Sequence, residues 1–172
     1  MKLEGSRGLI LALRDELAVW LKDCSKIAIL GIGNPLRGDD AVGMEIIKLL
    51  KGKVPRNVEL LESETVPENF TREIKEFNPT HVLMIDAAQF EAEPGEPRLV
   101  PPENVLGMTL STHALPLSLM AEVIKDSINA KVMILGVQPG RIEFGEGLTP
   151  ELQKSSKRIA NILISALNDF IK

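Results

Sequence analysis

Two carboxylates and one imidazole are the residues best placed to do chemistry in this chain. Asp40 follows the turn Gly33-Asn34-Pro35, Asp86 ends the run His81-Val-Leu-Met-Ile-Asp86, and His113 closes Ser111-Thr112-His113. Donors of these types on three separate loops can hold a cation and leave a coordination position open for water or substrate. Structural roles compete with that reading: Asp40 could cap a helix, Asp86 could close a strand end, and His113 could make a core hydrogen bond. Further acids stand close by. Asp39 precedes Asp40, and Glu62 and Glu64 end another strand, where they could work as a carboxylate pair or be solvated. Arg37 reads as a surface residue or as an anchor for a substrate carboxylate.

The elements that must position these groups follow from hydrophobic periodicity. Ile10, Leu13, Leu17, Trp20, Leu21 and Cys24 recur every three or four residues, which predicts a helix over Leu9–Cys24. Lys26–Ile32, His81–Asp86 and Lys131–Val137 are short, nearly continuous apolar runs, the signature of strands buried on both faces. Val58–Glu62 reads as another strand, and Arg98–Val100 as a short antiparallel edge after the turn cluster Glu93-Pro94-Gly95-Glu96-Pro97. Helical spacing returns over Asp40–Lys51, Pro67–Phe77, Pro116–Ile128 and about Pro150–Ile171. This alternation predicts an α/β fold: a three-layer α/β/α sandwich around a mostly parallel, doubly wound sheet of about five strands, in one domain spanning residues 1–172. Ligands of such sheets bind beyond the carboxyl ends of the strands, and the candidate residues all fall at that rim.

Composition removes several alternatives. The chain has 172 residues, 44% of them hydrophobic and 26% charged, which is enough to build a core without metal or disulfide staples. A net charge of -4 and 3% aromatic residues, with no Tyr, argue against nucleic-acid binding. Cys24 is the single cysteine, so neither a disulfide framework nor a thiolate zinc cage is expected. It reads as a packing residue. No apolar run approaches the length of a membrane span and no signal peptide is recognisable, so the expectation is a cytoplasmic protein. Gly31-x-Gly33-x-x-Leu36 lacks the third glycine of a dinucleotide site, and Asp39-Asp40 would repel phosphates. The Gly-x-Ser-x-Gly elbow of serine hydrolases is absent. His81 opens a buried strand, where capping or surface placement is expected.

Five segments occur in a telling order: Gly31-Ile-Gly-Asn-Pro-Leu-Arg-Gly-Asp-Asp40, Thr65-Val-Pro-Glu-Asn69, Ile85-Asp86-Ala87, Ser111-Thr-His-Ala-Leu-Pro116 and Gly136-Val-Gln-Pro139. Together they resemble the hydrogenase maturation endopeptidases, most closely the branch serving the hydrogenase of formate hydrogenlyase. The match covers about Lys26–Pro150 and leaves residues 1–25, the first helical segment, outside it.

The resemblance implies removal of a C-terminal peptide from the large-subunit precursor of a [NiFe] hydrogenase once nickel is in place. The nickel is carried by the substrate, no organic cofactor is implied, and monomeric action is expected. The family's three metal-contacting positions fall on Asp40, Asp86 and His113, and its second-strand acid on Glu62. Glu62 or Asp39 could then serve as general base if desolvation raised its pKa. The trio could polarise the scissile carbonyl or activate a water, or it could grip the substrate's nickel and orient the peptide. The chain departs from the family in two places: Ala41 stands where many members have glycine, and Ser63-Glu64 replaces a usual Gly-Gly. A second reading, from another class, is a nickel-sensing assembly chaperone that binds the precursor without cutting it.

Overall fold

The computed structural model describes residues 2–107, 114–145 and 147–171. Among them, five strands form one sheet: β1 (Ile27–Ile32), β2 (Val58–Glu64), β3 (His81–Ala87), β4 (Pro97–Val100) and β5 (Lys131–Val137). Their order is β2-β1-β3-β5-β4. β1, β2, β3 and β5 run parallel, with Ile27 opposite both Val58 and His81, and His81 opposite Lys131. β4 joins antiparallel to β5 at the edge. The expected doubly wound sheet and its short antiparallel edge are both present.

Side-chain alternation along each strand feeds two cores. On one face Ile27, Ile29, Leu83, Ile85, Leu135 and Val137 meet helices α1 (Lys2–Trp20), α2 (Val42–Leu50) and α5 (Pro150–Phe170). On the other, Ala28, Leu30, Val82, Met84, Val132 and Ile134 meet α3 (Thr71–Phe77) and α4 (Ala114–Ile128). α5 illustrates the amphipathic rule: Ile159, Ile162, Leu163, Ala166 and Leu167 are buried in helical register. Pro67–Phe77 is not one helix but a 3-10 turn over Pro67–Phe70 followed by α3, which ends where Asn78 turns left-handed at φ 50°. Among the described residues no helix is long and apolar enough to cross a membrane.

The first helix is part of the core. Leu13 and Leu17, together with Leu21 just past its end, are buried in the same cluster as α2 and α5. Its far end is fastened by His81, which is buried and not at the surface as expected from its place at the strand start. Nε2 of His81 lies 3.0 Å from the Trp20 carbonyl oxygen and Nδ1 lies 2.9 Å from the Thr80 hydroxyl. The Trp20 indole meets the imidazole edge-on at 5.0 Å. Cys24 is buried beside Thr80 as a packing residue.

Burial holds the His81 imidazole below its ordinary range, near 6.5, so the native state favours the neutral ring. As pH falls below that range the unfolded chain takes up a proton that the native ring resists. Stability therefore drops with acidification, and the contribution is fully present only above it. Urea midpoints measured from about pH 7.5 to pH 5 should fall more steeply for the native sequence than for His81→Gln. Parallel slopes would remove His81 from the acid response.

Candidate functional site

The sheet reverses its winding between β1 and β3. α2 carries the chain from β1 outward to β2 on one face, and α3 brings it back across β1 to β3 on the other. A crevice opens at such a switch point, beyond the carboxyl ends of the two strands. Asp40 follows β1 and Asp86 is the penultimate residue of β3, so both carboxylates belong to this corner. They are also buried, at 8% and 1% exposure.

Asp40 is set there by three glycines. A Cβ on Gly31 would lie 2.4 Å from the Gly43 carbonyl oxygen, and one on Gly43 would lie 2.2 Å from that of Ile85 and 2.5 Å from that of Ile32. Gly33, at φ 143°, leaves room for the Asp40 carbonyl, which a Cβ would meet at 1.7 Å. The glycines that suggested an incomplete dinucleotide loop thus let the start of α2 sit directly on β1 and β3. The Asp40 carboxylate does not cap α2: the N-cap is Ala41, with no side-chain cap, and Oδ2 of Asp40 accepts from the Asn34 amide at 2.9 Å. Ala41 has φ -79°, a right-handed conformation that costs an alanine nothing.

The loop that follows Asp86 is held by Gln138, whose bracketing role the motif reading missed. Its Oε1 accepts from the Phe90 amide at 2.7 Å and the Ala92 amide at 3.3 Å, while Nε2 donates to Gln89 Oε1 at 2.6 Å. The loop after β3 is thereby bracketed to the end of β5. Phe90 folds over Gly136, where a Cβ would meet the ring at 2.4 Å. Together with Ala88, Val105 and Leu117 it walls an apolar recess next to Asp86.

Asp39 has a different task from its neighbour. Its side chain is fully buried, and its carboxylate accepts four hydrogen bonds from the chain between β5 and α5. Oδ2 takes the amides of Gly140 and Arg141, both at 2.8 Å, and the Thr149 hydroxyl at 3.0 Å. Oδ1 takes the Thr149 amide at 2.7 Å. Thr149 is the N-cap of α5, so one carboxylate joins the β1 loop to the start of the last helix. A carboxylate already accepting four donors is a clasp, and the sequence expectation that Asp39 could be a general base gives way to a holding role.

Glu62 and Asp86 lie on opposite faces of the sheet. Glu62 alternates with Leu61, which faces α3 and α4, and is ion-paired with Lys51 at the end of α2. The pairing shifts between Gly31 and Ile32, opposite Glu62 and Glu64, so Ser63 is bulged. Its buried hydroxyl donates to the Gly31 carbonyl at 3.1 Å, and Glu64 is exposed with φ 49°. Arg37 is partly exposed at the rim and forms no ion pair among the described residues. His113 lies outside the described residues, and among those described no group of three metal-ligating side chains gathers.

Two outcomes follow. Asp39→Asn turns an amide NH2 toward backbone donors and should lower unfolding free energy by about 3 kcal/mol in urea titrations. Trypsin should also cut faster after the exposed Arg141 in that variant; unchanged stability and unchanged cleavage would refute the clasp. Glu64→Gly relieves a left-handed non-glycine residue and should raise stability by about 0.5–1 kcal/mol, read as a shift of the urea midpoint. A loss would mean that the Glu64 side chain contributes more than its backbone strain.

The sequence and the fold both have known counterparts. A family model described as hydrogenase maturation protease matches residues 44–166. A Methanocaldococcus jannaschii protein named as a hydrogenase maturation protease is 37% identical over 165 residues, covering 91% of this chain and 97% of that one. The hydrogenase 3 maturation protease of Escherichia coli is 28% identical over 132 residues, 76% of this chain and 84% of its own. The crystal structure of a [NiFe] hydrogenase maturation protease from Thermococcus kodakarensis superposes with a TM-score of 0.82 at 33% identity, covering 88% of this chain and 98% of that chain. A matched family model over most of the chain, a relative above one-third identity and a shared fold lead to one assignment: this chain belongs to the hydrogenase maturation protease family, and it is a protease.

Proposed function

We propose that this protease removes the C-terminal extension of a [NiFe] hydrogenase large-subunit precursor after nickel has been inserted. In this reading Asp40, Asp86 and His113 grip the nickel that the substrate carries. The observation that carries it is the pair of buried carboxylates, Asp40 and Asp86, at the switch point of the sheet in a chain of this family. Two carboxylates and an imidazole suit a borderline divalent ion and leave positions on it for the substrate's own ligands. The protein acts in the cytoplasm and needs no organic cofactor.

The chemistry expected of such a grip is orientation. A metal already embedded in the precursor is a rigid reference point. Holding it at the β1/β3 corner fixes the adjacent peptide against the rim and replaces a diffusional search by an intramolecular one. A precursor without nickel lacks the anchor and presents its extension in many orientations. Asp39 takes no proton in this scheme, because its four hydrogen bonds hold the loop that frames the corner.

Intact-mass analysis tests the proposal. A nickel-loaded precursor incubated with the protein should lose a C-terminal peptide, while a nickel-free precursor should not. Asp86→Asn and His113→Ala should each slow processing by at least about 100-fold. Cleavage of both precursors at equal rates would refute the nickel grip, and full activity of His113→Ala would remove the trio from the mechanism.

A further inference from the structure

We infer that the ridge formed by Leu36, Arg37 and Phe144 is the surface on which the protein substrate docks, with Phe144 as its apolar anchor. The inference rests on the reading of the chain as a precursor-cleaving endopeptidase and goes beyond it by naming a binding surface outside the carboxylate corner. Phe144 is 86% exposed and Leu36 is 46% exposed. Single exposed apolar residues are ordinary, but these two lie on backbone segments bonded to each other. The Gly145 amide donates to the Leu36 carbonyl at 2.9 Å, the Gly38 amide donates to the Gly145 carbonyl at 2.8 Å, and Arg37 bridges to Gly145. The ridge therefore unites the loop after β1 with the loop after β5.

Its rigidity is the second argument. Arg141, three residues before Phe144, is held through its amide by Asp39 and through its carbonyl by the Asp39 amide at 2.8 Å. Gly140 and Thr149 are held by the same carboxylate. The loop thus presents a phenyl ring to solvent on a backbone that is already ordered. Folding ordinarily hides such a ring, and a backbone already ordered loses little further entropy when a partner covers the side chain it carries. Aromatic groups of this kind dominate binding energy when desolvated at an interface centre.

Position fixes the occupant. Asp39 and Asp40 are consecutive, so the clasp that builds the ridge also adjoins the carboxylate corner, and the ridge stands on the same loops as Asp40. Arg37, which is unpaired with any described carboxylate, adds a positive charge on the same loop, next to Leu36 in the chain. The chemistry that fits is an apolar segment of the precursor protein with an acidic residue beside it.

The test separates binding from cutting, using the full-length protein and nickel-loaded precursor. Phe144→Ser should raise KM for processing by about tenfold while changing kcat little, and should weaken precursor binding by the same factor in a titration. Arg37→Gln should raise KM less, and more so at low salt. Val19→Ser, which alters a 78% exposed residue on α1 away from the ridge, serves as the control and should change neither. Thermal melts should coincide for all variants. Phe144→Ser with unchanged KM and unchanged binding would overturn the ridge, as would a fall confined to kcat. If the native protein binds the precursor and does not cut it, the endopeptidase reading fails while the binding arm still decides the ridge.

Discussion

The seat of α2 on the sheet is the constraint from which the rest of the site follows. Gly31, Gly33 and Gly43 remove the Cβ atoms that would otherwise hold helix and strands apart, and carbonyl oxygens occupy the space instead. The start of α2 consequently lies over the gap between β1 and β3, the place where crossovers diverge to opposite faces. Asp40, in the 3-10 turn that leads into the helix, is thereby seated beside the end of β1. A doubly wound sheet offers a crevice there in any case, and the two buried carboxylates, Asp40 after β1 and Asp86 near the end of β3, stand at its rim.

A corner built from loop residues needs bracing, because loops have few apolar contacts of their own. Two polar side chains supply it. Asp39 gathers the amides of Gly140, Arg141 and Thr149, and Gln138 gathers those of Phe90 and Ala92. The loops after β1, β3 and β5 become one frame. Burying a carboxylate or an amide is unfavourable unless its hydrogen bonds are met, so each brace demands its full set of partners and thereby specifies the loop conformation. The opposite rim is organised around His81, which ties α1 to β3. The candidate site and the anchorage of α1 are thus separated to the two ends of the same strands.

The positions that depart from the family explain themselves in local geometry. Ala41 has a right-handed backbone and needs no glycine. Ser63 occupies a bulge, where its hydroxyl meets the Gly31 carbonyl, and Glu64 takes the left-handed conformation that glycine would adopt freely. The bulge turns the end of β2 while Glu62 stays on the α2 face with Lys51. The second-strand acid is therefore separated by the sheet from Asp86, although their positions along the chain suggested a common rim.

Much of this protein was legible in its amino-acid sequence. Apolar runs and helical spacing determine which segments are strands and helices, since burial on one or two faces leaves a period that a reader can count. The alternation of elements determines the layered fold, and the order of motifs determines the family. Asp40 and Asp86 stand out because strand ends at one rim are adjacent in any parallel sheet. What only the tertiary structure decided concerns partners far apart in sequence. Asp39 and Asp40 are neighbours of identical type, and nothing local separates a clasp from a candidate site residue. The difference lies in amides about a hundred residues away, 101 positions for Gly140 and 110 for Thr149. His81 likewise looked like a strand-end residue until α1 was packed over it, and Glu62 was assigned to a face by its ion pair with Lys51 at the end of α2. Periodicity reports how much a residue is buried, whereas hydrogen-bond partners depend on how the chain closes upon itself.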